Sequence, residues 1–408
     1  MRGHRMLMPA LAGAMAIATT AHAADVEVMT QNQYVGTDLI ALVTEPDFNA
    51  AVVDALRTRA GTRPAERMQA LAKLIDVRGP ALAGLQEVYE FRCVDAAPRP
   101  ARGCDNPEIA GAFIDQLDAT LEALDGRYRA VGTVVNLDLP STLPAPLNQL
   151  PGVPVLYDGG VIYVAVVDRD VILARDDVEA SPVPFGSLGL CTPSADGCNF
   201  AAAASAPLVV PPFPVPIDVR FERGFVAVDA VVDGRELRFV NTHLETRLEG
   251  SGPQARGFQS AQAYELTQVL QYAAVLLPAS THVVVGDFNS APDDPTYPTP
   301  PGVPAYLGIP PYQQMAQAGF LDAWLAQPGT GSAQGRAFDG RSCCQHEDLT
   351  NRCSDLYERI DLISASDTPR VRDARLLGES IGDKTRPKGH GLWPSDHASV
   401  AATLRYAE

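Results

Sequence analysis

Short apolar runs that carry carboxylates, amides or histidines at one end recur along this chain. The run THVVVG, residues 281–286, stops at Asp287 and Asn289. A run of β-branched residues like this predicts a strand that is buried on both faces. Five further segments share the pattern, with the polar residues Asn32, Glu87, Asn241 with His243, Arg359 with Asp361, and Asp396 with His397. Because these ends are spread over the chain, we expect them to meet at one place in the fold.

Each polar end has an ordinary explanation when it is taken alone. Asn and Asp form turns through side-chain hydrogen bonds to the nearby backbone, so Asn32 and Asp287 could each end a strand without any function. Glu87 could cap a helix, Asp361 could lie on the surface of a strand, and His397 could lie in a solvated loop. Six such ends exceed what turn placement alone predicts, and we interpret them as one site.

Hydrophobic periodicity predicts a mixed helix and strand protein. Helical spacing of apolar residues predicts helices over 64–77, 108–125 and 253–277. Strand-like runs cover 26–30, 81–88, 128–135, 161–167, 170–180, 224–232, 235–244 and 281–289. Since the polar ends span the whole mature chain, we predict a single domain over 24–408. Loop insertions are predicted at 139–154, 181–217, 292–311 and 326–356.

The first 23 residues have the pattern of a cleavable secretory signal. Two arginines precede an apolar stretch at 6–18, and the sequence AHA at 21–23 supplies an A-x-A cleavage site. The apolar stretch is shorter than the roughly 18 residues that a membrane span needs. We therefore expect a secreted or periplasmic protein without stable membrane insertion.

Seven cysteines at 93, 104, 191, 198, 343, 344 and 353 fit an oxidising compartment. Their spacing predicts the disulfides Cys93–Cys104 and Cys191–Cys198, and a third that joins Cys353 to Cys343 or Cys344. One thiol is left over. A zinc site at Cys343, Cys344, His346 and Cys353 is the alternative, but adjacent cysteines are poor tetrahedral ligands.

The motifs around the polar ends resemble those of a known group of enzymes. In chain order they are TQNQYVGTDL, GLQEV, FVNTHLET, VVVGDFNSAP, ERIDLI and WPSDHASV. In sequence and order they are similar to motifs of the endonuclease/exonuclease/phosphatase superfamily, which includes deoxyribonuclease-like and sphingomyelinase-like enzymes. The resemblance covers residues 26–404. It implies an α/β fold, a four-layered α/β/β/α sandwich of two facing mixed sheets, and metal-dependent hydrolysis of phosphoesters.

The resemblance also implies a metal centre. Glu87 is the expected main ligand of Mg²⁺, with Mn²⁺ or Ca²⁺ as alternatives, and Asn32 is its companion. Oxygen donors suit these hard cations, whereas zinc is less suited because few of the motif residues are Cys or His.

The remaining motif residues are assigned to catalysis by the same resemblance. Asp287 orients or deprotonates the attacking water, Asn289 bonds a phosphate oxygen, and His243 stabilises the phosphate. His397 binds phosphate or transfers a proton, and Asp396 pairs with it. Asp361 supports the histidines or the leaving group.

Some assignments stay open at the level of sequence. Asp287 and His397 both qualify as the general base by residue type. Asn241 and Arg359 are secondary candidates, with structural contacts at strand ends as the alternative. Arg223 is assigned a surface role, with binding of a substrate anion as the alternative.

The substrate class also stays open among nucleic acid, phospholipid and a small phosphoester. The net charge of −17 argues against avid binding to DNA or anionic lipid, and the segment 181–217 contains no Lys or Arg. The segment LVVPPFPVPI, residues 208–217, is either an exposed apolar hairpin, as in a phospholipid-cleaving enzyme, or a packed surface loop, which its prolines favour. A non-catalytic binding protein is the alternative of a different class. No protein partner is inferred, and a monomer is expected.

Overall fold

The apolar runs form two facing β-sheets in the computed structural model. The structure describes residues 25–96, 103–210, 216–247, 256–277, 281–328, 339–386 and 391–406, so the predicted signal segment 1–23 lies outside the described residues. The strands are β1 (Asp25–Asn32), β2 (Leu82–Gln86), β3 (Glu90–Asp95), β4 (Tyr128–Leu139), β5 (Val153–Tyr157), β6 (Gly160–Arg175), β7 (Glu179–Pro182), β8 (Thr192–Ser194), β9 (Gly197–Asn199), β10 (Ala204–Leu208), β11 (Ile217–Phe221), β12 (Gly224–Val232), β13 (Arg235–His243), β14 (His282–Asp287), β15 (Leu321–Asp322), β16 (Asp361–Ala365), β17 (Arg370–Leu377) and β18 (Ser399–Arg405). The helices are α1 (Ala41–Thr44), α2 (Phe48–Gly61), α3 (Pro64–Arg78), α4 (Gln116–Leu124), α5 (Gly257–Leu276), α6 (Pro311–Gln317) and α7 (Ala323–Ala326).

Both sheets mix parallel and antiparallel strands. The first sheet has the order β17-β18-β1-β2-β6-β3, and its long strand β6 also pairs with β4 and β5. The second sheet has the order β15-β16-β14-β13-β12-β9-β8, and β7 also pairs with β12. Strands β1 and β2 are parallel, as are β13 and β14, so each sheet contains a pair of strands that end at the same edge.

The main hydrophobic core lies between the two sheets. Val28 of the first sheet and Val226 and Val285 of the second belong to one buried cluster. Helices α3 and α4 pack on the outer face of the first sheet, and α5 and α6 pack on the outer face of the second. The predicted α/β/β/α sandwich is therefore confirmed.

Helix ends follow local capping chemistry. Helix α3 runs from Pro64 to Arg78, close to the predicted 64–77, and its C-cap Gly79 is in the left-handed conformation. The helix predicted over 108–125 is shorter. Asp115 accepts hydrogen bonds from the backbone N–H groups of Leu117 and Asp118, so the helix starts at Gln116. Helix α2, capped by Asp47, was not predicted.

Strand β6 replaces two shorter predicted strands. The runs 161–167 and 170–180 were separated at Asp168 and Arg169, but β6 continues from Gly160 to Arg175. Asp168 and Asp170 do not break the strand because both side chains are buried at the candidate site described below rather than exposed in a turn.

The predicted loop 181–217 contains regular structure. It includes β8, β9 and β10, and β10 pairs antiparallel with β11, with Ala204 opposite Phe221 and Leu208 opposite Ile217. Leu208 and Val210 are buried against Leu147 of the insertion 139–154. The described part of segment 208–217 therefore packs on a neighbouring insertion, and residues 211–215 lie outside the described part of the structure.

The cysteines pair differently from one prediction. The structure contains the predicted disulfides Cys93–Cys104 and Cys191–Cys198. The third disulfide joins the neighbours Cys343 and Cys344, and Cys353 is free. The prediction that Cys353 pairs with one of them is wrong, because Cys343 is buried whereas Cys353 lies on an exposed loop.

None of the described helices is long and apolar enough to cross a membrane.

Gly286, the residue before Asp287, is sterically fixed as glycine. Its φ is +149°, and a Cβ there would overlap the carbonyl oxygen of Thr242 on the neighbouring strand. We predict that Gly286→Ala lowers the free energy of unfolding by more than ~3 kcal/mol, measured by urea denaturation. Gly126→Ala is the matched control, because Gly126 has φ +76° but open space around it. It should cost only about 1 kcal/mol. Equal losses in the two variants would contradict the steric explanation.

Candidate active site

Strand register brings the polar strand ends together. In the first sheet Asn32 lies opposite Gln86, the residue before Glu87. In the second sheet His243 lies opposite Asp287, and Asp287 lies opposite Asp361 at the start of β16. Strand β18 runs antiparallel to β1, so the segment that enters it, with Asp396 and His397, lies beside the end of β1. All eight predicted site residues therefore gather at one end of the sandwich.

Asp287 is the centre of this cluster. Its Oδ2 accepts a hydrogen bond from Asn32 Nδ2 at 3.1 Å, and it lies 3.7 Å from His243 Nε2 and 3.8 Å from His397 Nε2. Its Oδ1 accepts from the backbone N–H of Asn289 at 2.9 Å. Asp287 is only 2% exposed, so one buried carboxylate connects residues from both sheets.

Asp361, rather than Asp396, holds His397 in place. His397 Nδ1 donates to Asp361 Oδ2 at 2.8 Å, whereas Asp396 Oδ1 lies 4.0 Å from His397 Nε2. The hydrogen bond that the resemblance assigned to Asp396 is thus made by Asp361. Successive side chains of an extended chain point in different directions, which prevents Asp396 from serving its own neighbour in this way.

Glu87 and Asn289 line the accessible side of the cluster. Both are partly exposed, and both have a positive φ, +54° for Glu87 and +47° for Asn289. Glu87 Oε2 accepts from the backbone N–H of Val35 at 2.8 Å, and Oε1 accepts from Asn32 Nδ2 at 3.0 Å. Non-glycine residues in the left-handed region cost energy and concentrate at functional sites. These contacts hold Glu87 at the mouth of the cluster, and Asn289 is held there by donating from Nδ2 to the Leu244 carbonyl at 2.8 Å.

Arg223 determines the tautomer of His243. Arg223 Nη1 lies 3.2 Å from His243 Nδ1, and a guanidinium group can only donate hydrogen bonds. Asn289 Nδ2 lies 3.4 Å from Nε2, the longer of the two contacts, so the tautomer that fits best has Nδ1 as the acceptor and the imidazole proton on Nε2, which faces Asp287. The surface role predicted for Arg223 is wrong, because its side chain is 17% exposed and also contacts Glu245 at 3.5 Å.

The two histidines have opposite charge states. Burial, reinforced by Arg223, lowers the pKa of His243 well below its ordinary value, so this imidazole is neutral. Burial also opposes the charged form of His397. The carboxylates of Asp361, Asp396 and Asp287 outweigh that effect and raise the pKa of His397 well above its ordinary value. The cluster thus contains one neutral N–H donor and one imidazolium ion.

Carboxylates are crowded around these histidines. Burial raises the pKa of Asp287 to about 7, and the nearby charge of Asp361 adds to the rise. Burial raises the pKa of Asp396 to about 6; His397 opposes this rise and Glu87 adds to it. Ionised carboxylates in this cluster therefore repel one another near neutral pH.

Two further buried aspartates were missed as site residues. Asp168 and Asp170 lie on one face of β6, and Asp168 Oδ2 is 3.9 Å from Arg223 Nη1. Burial raises the pKa of Asp168 to about 7. Asp170 accepts a hydrogen bond from Asn136 Nδ2 at 2.9 Å. The signal that could have found them is two aspartates inside an otherwise apolar strand, VVDRDVILA.

The secondary candidates Asn241 and Arg359 have structural contacts. Asn241 Nδ2 donates to the backbone carbonyls of Leu85 and Val171, which joins the two sheets. Arg359 forms a buried ion pair with Asp322 at 2.7 Å. Neither side chain forms a hydrogen bond with the eight predicted site residues within the described parts of the chain.

The cluster suits a hard divalent cation. Glu87, Asp287 and Asp396 supply carboxylate oxygens, and Asp361 Oδ1 is buried without a hydrogen-bond partner among the described residues. A cation such as Mg²⁺, Mn²⁺ or Ca²⁺ would relieve the repulsion between these groups. Asn32 turns its amide nitrogen, not its oxygen, towards Glu87 and Asp287, so it bridges the two carboxylates. The zinc alternative has no thiolates at Cys343 and Cys344, because the two are joined as a disulfide.

Comparisons with known proteins give structural likenesses only. No protein-family model and no curated protein matches the chain. It is similar to an endonuclease/exonuclease/phosphatase from Beutenbergia cavernae DSM 12333, with 18% identity, TM-score 0.45, and coverage of 94% of this chain and 72% of the other. A family protein of the same description from Bacteroides thetaiotaomicron has 16% identity, TM-score 0.48, and coverage of 95% and 100%. The mannosyl-6-phosphatase of B. thetaiotaomicron VPI-5482 has 15% identity, TM-score 0.47, and coverage of 93% and 100%. Because all three TM-scores are below 0.5, the fold assignment rests on the strand order and layers of this chain.

The contact between Arg223 and His243 predicts a measurable pKa change. Arg223→Met removes the positive charge beside Nδ1, so the pKa of His243 should rise towards its ordinary value. NMR titration of the His243 ring protons in EDTA measures this change. Arg223→Lys retains the charge and should keep the pKa low. The control Arg220→Met, at an exposed arginine paired with Glu222, should leave it unchanged. An unchanged pKa in Arg223→Met would show that burial alone lowers the pKa of His243 and would contradict the contribution of Arg223.

The carboxylate cluster also predicts how stability depends on pH. The raised pKa values of Asp168, Asp287 and Asp396 mean that the folded protein binds more protons than the unfolded chain between about pH 4 and about pH 7. In EDTA the free energy of unfolding should therefore fall as pH rises through this window. The lowered pKa of His243 has the opposite effect on the free energy of unfolding, but it is one group against three aspartates. Saturating MgCl₂ should reduce the fall, as measured by urea denaturation. An identical pH dependence with and without Mg²⁺ would argue against a cation at this cluster.

Proposed function

We propose that this protein is an exported phosphoesterase that uses a divalent metal ion and an activated water molecule. The observation that carries the proposal is the position of Asp287, whose buried Oδ2 lies within 4 Å of Asn32, His243 and His397. The carboxylate of Asp287, the neutral N–H donor of His243 and the imidazolium group of His397 thus surround one small volume. It lies beside the accessible carboxylates of Glu87 and Asp396. Hydrolysis of a phosphoester needs these elements: a base for the water and positive groups for the phosphate oxygens.

Asp287 is the general base in this proposal. Burial raises its pKa to about 7, which makes it an effective proton acceptor near neutral pH. His397 is held in its charged form by Asp361 and therefore has no free lone pair to accept a proton. Asp287 takes one proton from water as the new P–O bond forms and the bond to the leaving oxygen breaks.

His243, His397 and Asn289 bind the phosphate. His243 Nε2 carries a proton because Arg223 occupies Nδ1, and His397 contributes a positive charge. The Asn289 amide lies 3.4 Å from His243 Nε2, so both groups reach the same volume. Glu87 would hold the metal ion with Asp396, and the bound ion would polarise the phosphate. Asn32 positions the carboxylate of Asp287, and Asp361 positions the imidazole of His397.

Export and substrate class complete the proposal. The basic, apolar and AHA segments at 1–23 support secretion or transfer to the periplasm. The net charge of −17 favours a small phosphoester over nucleic acid or anionic membrane lipid, since it repels polyanions. A nuclease and a phospholipid phosphodiesterase remain the alternatives that substrate assays distinguish.

The proposed base is tested by Asp287→Asn. We expect at least a ~100-fold loss of kcat on bis-p-nitrophenyl phosphate, because the amide cannot accept the proton of the water. EDTA should abolish wild-type turnover and Mg²⁺ should restore it. Asp54→Asn, on the exposed side of α2, is the control and should retain wild-type activity. Metal-dependent turnover near the wild-type rate in Asp287→Asn would refute the mechanism. Absence of wild-type activity on this ester, on plasmid DNA and on sphingomyelin would favour the binding-protein alternative.

A further inference from the structure

A polar cavity of about 480 Å³ lies beside the candidate active site, and four arginines line it. These are Arg247, Arg256, Arg341 and Arg359, and we call the space the arginine cavity. Its wall includes Ala291, two residues after Asn289, and Arg359, two residues before Asp361. Two residues of chain span at most about 7 Å. The cavity and the site therefore share the same two loops.

Asp294 fixes two of these arginines. Arg256 donates through Nη2 to Asp294 Oδ1 at 2.8 Å, and Arg247 Nη1 lies 3.2 Å from the same oxygen. Asp294 Oδ2 accepts from Ser290 Oγ at 3.1 Å and from the Ala291 backbone N–H at 3.0 Å. The carboxylate is thus saturated by the protein. An arginine carries five N–H donors, so these ion pairs hold the guanidinium groups in position without using all of their donors.

The other two arginines leave further donors unused. Arg359 is buried, and its Nε has no hydrogen-bond partner among the described residues. Arg341 is exposed at the cavity, and within the described parts of the chain no ion pair or hydrogen bond involves its side chain. Tyr357, also in the lining, is 62% exposed and offers an apolar ring face beside these donors.

The charge balance permits an anion here. The lining contains four arginines and three carboxylates, which are Asp293, Asp294 and Glu358. The charge of Arg359 is balanced by Asp322, which lies outside the lining. The arginine cavity is therefore close to neutral in a protein of net charge −17. An anion meets little repulsion there, and the directional donors of fixed guanidinium groups favour a phosphate.

We propose that the arginine cavity binds a second phosphate group of the substrate while the first is hydrolysed at Asp287. This inference rests on the proposed function and narrows it to small molecules that carry two phosphates. The cavity volume is in the range of small-ligand sites, about 300–1,000 Å³, and is too small for a nucleic-acid duplex. The ring of Tyr357 would cover the carbon skeleton between the two phosphates.

Two matched chromogenic esters test the cavity. Thymidine 5′-(p-nitrophenyl phosphate) has one phosphate, and its 3′-phosphorylated form adds a second. We expect the wild-type protein to hydrolyse the second ester with at least a 10-fold higher kcat/KM, through a lower KM. Arg341→Gln should reduce this ratio towards one. Arg370→Gln, at an exposed arginine on β17 outside the cavity lining, is the control and should preserve the ratio. A wild-type ratio of one, or an unchanged ratio in Arg341→Gln, would overturn the proposal.

A binding measurement separates this proposal from the proposed catalysis. Calorimetry in EDTA, with thymidine 3′,5′-bisphosphate and with thymidine 5′-monophosphate, measures binding without turnover. The bisphosphate should bind at least 10-fold more tightly to the wild-type protein, and Arg341→Gln should remove the difference. Equal affinities would overturn the cavity assignment even if both esters are hydrolysed. A retained preference for the bisphosphate without hydrolysis of either ester would instead refute the proposed function and leave the cavity assignment standing.

Discussion

Several carboxylates are packed together at the end of the sandwich where strand ends of both sheets meet. The site depends on this constraint. Asp287 and Asp361 are neighbours across β14 and β16, and Asp287 is almost fully buried. Such groups are costly in a low-dielectric interior unless a proton, a cation or hydrogen bonds compensate them. His397 and Asn32 supply part of this compensation. Burial and the remaining repulsion together raise the pKa of Asp287, and the repulsion makes the cluster suited to a divalent ion.

The two histidines show how second partners decide function. His243 and His397 lie at similar distances from Asp287 Oδ2, 3.7 Å and 3.8 Å. Asp361 accepts a hydrogen bond from His397, and Arg223 donates one to His243. An acceptor favours the charged imidazole and a donor favours the neutral one, so two identical side chains differ in charge.

The sequence predicted the buried strands and the polar residues at their ends for clear physical reasons, whereas the four layers were implied by the family resemblance. Apolar runs such as residues 283–285 must be buried, and strand periodicity is local. The predictions failed where long-range contacts decide. The predicted strands 161–167 and 170–180 left a gap at Asp168 and Arg169, although β6 is continuous there and Asp168 is buried. Cys353 was expected to pair, but the fold leaves it on an exposed loop.

By itself the sequence determined which strands are buried and which polar residues end them, because burial of apolar side chains and turn chemistry act over a few residues. Only the tertiary structure decided which partner each polar residue has. The pairing of His397 with Asp361, the contact of Arg223 with His243 and the placement of the arginine cavity join residues distant in the chain. Such contacts depend on sheet order and register, which arise from packing the two sheets together and not from any local pattern.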